Sequence, residues 1–173
     1  MNPVAVAEMA AARIPLTVGQ IQASPKTEGL TGAASWFWLP GASTRSVSVA
    51  LAGERVMVTA SPSGAQWNFG DGTTLTGGAG VPYRPGTAPS NAVRHTYRTR
   101  CLPGDAGHDP YVLSSCGADG YAVNATVSWS ITYVAGGPVT ASGALPSRTT
   151  SSSMTYPVSE ARAFLTTSGS GSR

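Results

Sequence analysis

Residues 120–134, GYAVNATVSWSITYV, place Tyr121, Val123, Ala125, Val127, Trp129, Ile131 and Tyr133 at every second position. A period of two gathers these side chains on one face of a strand, whereas a helix would scatter them around its axis. A strand so apolar on one side needs partner strands beside it and a layer packed over it. Other segments supply the partners. Residues 47–51 and 55–60 alternate in the same way, with Ala52-Gly53-Glu54 as a hairpin connection. Ala65-Gln66-Trp67-Asn68-Phe69 sets Ala65, Trp67 and Phe69 on one face and both amides on the other, then stops at Gly70-Asp71-Gly72. After a turn-rich stretch at 76–92, residues 93–97 form a short strand whose odd positions share a face. A closing strand is expected near 158–166, followed by a flexible tail at 168–173.

One helix is expected. Asn2 can cap it, Pro3 suits its first turn, and residues 4–13 contain no breaker before Ile14-Pro15. Residues 15–34 lack periodicity and read as an extended arm, either packed on the domain or serving as a linker. In Ser35-Trp36-Phe37-Trp38-Leu39, alternation sends Trp36 and Trp38 to one face and Phe37 to the other. One reading makes Trp36, Phe37 and Trp38 a carbohydrate-stacking or partner-binding patch; the preferred one assigns the tryptophans to the core and leaves Phe37 as the exposed candidate.

The 21 glycines and 13 prolines among 173 residues demand many turns, while a 41% hydrophobic content suffices for one core. The expected class is all-β, an immunoglobulin-like antiparallel β-sandwich with a short N-terminal helix and extended arm; a small barrel is the alternative. The expected organisation is helix and arm at 1–34, sandwich at 35–167 and tail at 168–173. Ten arginines and one lysine leave a net charge of only +3, and the grouping of Arg84, Arg94, Arg98 and Arg100 reads as solvated loop and strand charge. Nucleic acid is therefore not the expected partner. No run reaches the roughly 20 apolar residues of a membrane span, and the first residues lack the pattern of a signal peptide.

Three pieces narrow the fold: Trp67-Asn68-Phe69-Gly70-Asp71-Gly72, His95-Thr96-Tyr97, and Gly120-Tyr121-Ala122-Val123. Their order resembles the PKD (polycystic kidney disease repeat) domain family, over roughly 45–135. The resemblance implies a seven-stranded sandwich with Trp67 and Phe69 between sheets, and Tyr97 and Tyr121 packing their rings while their hydroxyls reach backbone groups. The longer pattern, from Gly29-Leu30-Thr31-Gly32 through Trp36-Phe37-Trp38-Leu39 to 157–166, is similar to single-PKD-domain exported proteins of actinobacteria. That similarity implies a secreted or cell-surface location, with any signal or anchor lying outside this sequence.

The stretch from Arg98 to Asp119 is longer than a PKD domain requires, and it holds both cysteines, Cys101 and Cys116. In an exported chain they are expected to form a disulfide; two buried thiols or a metal site are the alternatives. A metal site is disfavoured because there is no C-x-x-C pair and His108 has no second histidine nearby.

No catalytic constellation is apparent. His95 shares a strand face with Tyr97 and reads as a structural hydrogen-bonding residue, and Asp71 reads as an Asx turn former. Asp71 lacks the neighbouring carboxylates of a calcium loop, and Lys26 lacks the glycines of a phosphate loop. Asn124-Ala125-Thr126 matches a glycosylation acceptor but lies inside a strand. The expected function is a non-catalytic, cofactor-free module for protein contact at the cell surface, within an envelope or pilus-associated assembly. The rival is a glycan- or cell-wall-binding module using Phe37, Tyr83 and Tyr111; Arg84 and His108 complete the candidate binding set. A hydrolase built on His108 is the weakest alternative.

Overall fold

The structure is a computed structural model that describes residues 2–51 and 53–160. It is all-β apart from α1 (Pro3–Ala12). The strands are β1 (Gln22–Ser24), β2 (Gly29–Leu30), β3 (Ala34–Trp38), β4 (Arg45–Leu51), β5 (Glu54–Asn68), β6 (Thr74–Gly77), β7 (Val93–Thr96), β8 (Tyr121–Gly136), β9 (Ala141–Tyr156) and β10 (Val158–Ser159). The large antiparallel sheet runs β4-β5-β8-β9, with β6 sharing an edge of β5 with β4. A smaller antiparallel sheet runs β1-β3-β7, and β2 pairs in parallel with β10.

Two separately expected strands, 55–60 and 65–69, are one continuous strand through residue 68. Pro62 pairs with Trp129 and Gly64 with Ser128, leaving Ser63 as an extra residue on β5. Such a bulge shifts the two-residue period by one. Val56, Val58 and Ala60 before it and Ala65 and Trp67 after it therefore fall on the same buried face. β8 supplies the opposing row, with all seven expected positions buried.

The 15-residue β5 and 16-residue β8 are each about 50 Å long, and two covers share that length. Over one part, Phe37 of β3 reaches across to Trp67 and Phe69. Over the other, α1 lies on β4, β5 and β8. Its contact residues Val6, Ala7, Ala10 and Ala11 are mostly small, which lets the helix come close to the sheet. Asn2 caps α1 by accepting the Val4 N–H at 3.0 Å, and Arg148 of β9 donates to the Ala11 carbonyl at 3.3 Å. The arm is packed rather than free: Arg45 binds the Pro15 and Thr17 carbonyls at 2.6 and 2.8 Å, and the Gly19 N–H donates to Pro40.

β9 has no counterpart in the sequence reading, because its inward positions Thr150, Ser152 and Met154 do not form an apolar row. Its pairing with β8 makes it a strand. Of the closing strand expected at 158–166, Val158–Ser159 forms β10 beside β2 and Glu160 lies beyond its end; 161–166 and the expected tail lie outside the described residues.

Candidate binding cleft

β3 is covered on both faces. Phe37, expected at the surface, is wholly buried, with ring centroids 5.1 Å from Tyr156 and 5.5 Å from Phe69. Alternation separates Phe37 from the tryptophans but does not specify which side meets the large sheet. Trp36 points the other way and is covered by the turn-rich segment before β7. Its indole Nε1 donates to the Val81 carbonyl at 2.6 Å, and the Tyr83 ring meets it edge-on at 5.3 Å.

Gly80 permits this approach. Its φ is +74°, and a Cβ there would lie 2.5 Å from the Phe37 carbonyl oxygen. The Leu39 N–H donates to Ala79 beside it, at 2.8 Å. The segment then encloses a cleft of about 540 Å³ walled by Trp36, Pro82, Pro85 and Pro89, with Arg84 and Asn91 among its polar groups. Proline fixes φ, so much of this wall is stiffened before any ligand arrives. Tyr83 is about half exposed at the same segment. Two candidate residues, Tyr83 and Arg84, therefore join Trp36, while Phe37 takes no part.

His108 and Tyr111 belong to a second region. Cys101 and Cys116 form a disulfide with their Cα atoms 5.6 Å apart. Inside the loop, Arg100 pairs with Asp109 and lies 3.5 Å from Asp105. Those carboxylates also organise backbone: Asp105 accepts the Leu102 N–H and Asp109 the Tyr111 N–H, both at 2.9 Å. His108 Nδ1 lies 2.9 Å from the Ala106 carbonyl oxygen, and Tyr111 is 87% exposed. A hollow of about 310 Å³ lies among Arg98, Arg100, Asp109, Tyr111 and Glu160.

The fold-motif residues meet in the core. Trp67 stacks on Phe69, Phe69 on His95 at 4.3 Å, and Tyr97 on Tyr121 at 4.9 Å. Tyr97 donates to the Phe69 carbonyl at 3.1 Å; burial, then the Asp71 charge, raises its pKa far above the ordinary tyrosine range. Burial raises Tyr121 too, against the opposing hydrogen bond with Thr99. Gly70 makes the turn possible with φ +83°, since a Cβ would sit 2.8 Å from the Ala122 nitrogen. The exposed Gly72 also has positive φ, at +89°.

The sequence reading missed that Asp71 and His95 are partners. His95 Nε2 lies 2.7 Å from Asp71 Oδ2, and Asp71 Oδ1 accepts the Thr73 N–H at 3.0 Å. Nothing in a spacing of 24 residues announces that contact. Burial alone would raise the Asp71 pKa, but the His95 and Thr73 hydrogen bonds and the His95 charge together bring it below the ordinary 3.8. A carboxyl depressed on folding adds stability above its unfolded pKa and loses it as pH falls through the lower folded value. Asp71→Asn is expected to cost about 1–2 kcal/mol near neutral pH and to flatten the acid limb below 3.8. Urea unfolding from pH 2 to 7 checks this; parallel wild-type and variant curves would remove Asp71 as the acid-sensitive group.

Glu54 was also missed. It is buried, its Oε1 accepts the Val139 N–H at 2.7 Å, and its Oε2 has no hydrogen-bond partner among the described residues. This contact ties the β4–β5 turn to the β8–β9 turn. Among the described residues, no group of three or more His, Cys, Asp or Glu side chains is placed to hold a metal ion. Nor is any described helix long and apolar enough to cross a membrane. No family model, curated protein or solved structure matches the chain.

Proposed function

We propose that the chain is a non-catalytic recognition module of the cell surface or extracellular space, an immunoglobulin-like sandwich of PKD type that holds a protein partner through its loops. The reading rests on the cleft at Trp36, which Arg84 and three prolines line, with Tyr83 edge-on to the Trp36 ring on the same β3-anchored segment. Aromatic and arginine side chains on a stiff apolar support suit protein recognition, because little freedom is lost on binding. The disulfide favours an oxidising compartment. His95 and Asp71 are engaged with each other and with the turn, which favours a structural role for both.

Cross-linking of the intact protein to envelope proteins tests the reading, with Tyr83→Ala and Arg84→Ala beside Tyr111→Ala. Capture of a defined protein should weaken about tenfold or more in the first two variants and persist in the third. Retention on an insoluble cell-wall glycan, abolished by Tyr111→Ala and unaffected by Tyr83→Ala, would overturn it in favour of glycan binding at the disulfide loop.

A further inference from the structure

We propose that the outer edge of β9 pairs with the same edge of a second copy of this chain, making a two-fold dimer with one continuous sheet. Among the described residues, β9 closes one side of the large sheet and forms its ladder with β8 alone. Among the described residues, no backbone group of 149–155 makes a hydrogen bond outside that ladder. Long exposed edges are usually blunted by charge, proline, a bulge or a covering segment. β9 concentrates such devices in one place, at Pro146, Arg148 and the register shift between Trp129 and Ile131 of β8. Beyond them, residues 149–156, TTSSSMTY, carry no charge, no proline and no irregularity over about 27 Å.

The occupant follows from the chemistry of that edge. Antiparallel self-pairing centred on Ser152 sets Ser151 opposite Ser153, Thr150 opposite Met154, and Thr149 opposite Thr155. A period of two keeps both faces in register across the junction. Thr149, Ser151, Ser153 and Thr155, exposed on the outer face, then meet hydroxyl to hydroxyl, a favourable cross-strand pairing. Thr150, Ser152 and Met154 are only half-buried in the single chain and gain cover from the partner's matching row. No like charges oppose one another at any of these positions. A charged strand would find no complementary charge here, whereas a second copy brings the small hydroxyl side chains that the edge already displays.

Sedimentation equilibrium of the full chain at rising concentration tests the proposal, with thermal melting of each variant to show that the fold is intact. The wild type should reach twice the 17.5 kDa chain mass reversibly. Ser151→Lys with Ser153→Lys sets lysine against lysine twice across the two-fold axis and should raise the dimer dissociation constant about a hundredfold or more. Ser151→Glu with Ser153→Lys sets opposite charges against each other and should restore the dimer. A wild type that stays monomeric at millimolar concentration overturns the proposal, as does a dimer indifferent to both lysines. A monomer that dimerises only after residues 161–173 are removed also overturns it for the full chain, assigning the edge to the chain's own C-terminal segment.

Discussion

Trp67→Ala is expected to lower stability by about 3–5 kcal/mol, the range for deleting a large aromatic ring from a packed core. The ring is wholly buried, lies 6.4 Å from Phe69 and 6.5 Å from Phe37, and its Nε1 donates to the Gly78 carbonyl at 3.0 Å. The substitution opens a cavity between β3 and β5 and leaves the Gly78 carbonyl without its indole donor. For a chain of this size the melting temperature should fall roughly 10 °C or more. Trp67→Phe should recover most of the loss, because it refills much of the cavity and lacks only the hydrogen bond. Calorimetry of the three proteins decides the matter; an alanine variant melting within about 3 °C of wild type would show that Trp67 is not a centre of the core.

The second large effect concerns the disulfide. Closing the loop between Cys101 and Cys116, 15 positions apart, is worth about 3 kcal/mol through the restricted unfolded chain. Local structure is built on the same residue: Cys101 is buried and exchanges backbone hydrogen bonds with Val158 in both directions, at 2.8 and 2.9 Å. Cys101→Ala with Cys116→Ala should therefore destabilise the protein by about 3 kcal/mol. It should also raise amide exchange first in 101–116 and at Val158, ahead of β5 and β8. Intact mass after alkylation, with and without reductant, establishes the bond in material from its natural source. Freely alkylated thiols there, or a double variant as stable as wild type, would remove the staple and weaken the extracellular reading.

Where a strand buries a continuous apolar row, its position is readable. The odd-numbered row of β8 and the Ala65-Trp67-Phe69 row are examples, as is the Asn2-Pro3 start of α1. Legibility fails where the period is interrupted or the inward row is polar. The single extra residue at Ser63 makes one strand look like two of opposite parity. β9 faces inward with Thr150, Ser152 and Met154, which carry no apolar signal, and is specified by its pairing with β8. At the cleft, Tyr83 and Arg84 were visible as candidates because they lie in a proline-rich turn segment. For Trp36 the core reading outweighs the binding-patch reading in the sequence, since the loop that folds over it comes from more than 40 residues away.

By itself, then, the sequence determined the all-β class, the helix start, the strand-end turn at Gly70-Asp71-Gly72 and the principal core rings. These follow from local rules, namely a two-residue period, a capping side chain and a backbone angle open to glycine. Tertiary structure alone decided that Phe37 is core while Trp36 lines a cleft, that Asp71 meets His95, and that α1 and β3 cover different parts of β5. Each of these depends on which distant surface is buried against which, and alternation defines the two faces of a strand without naming what lies against either.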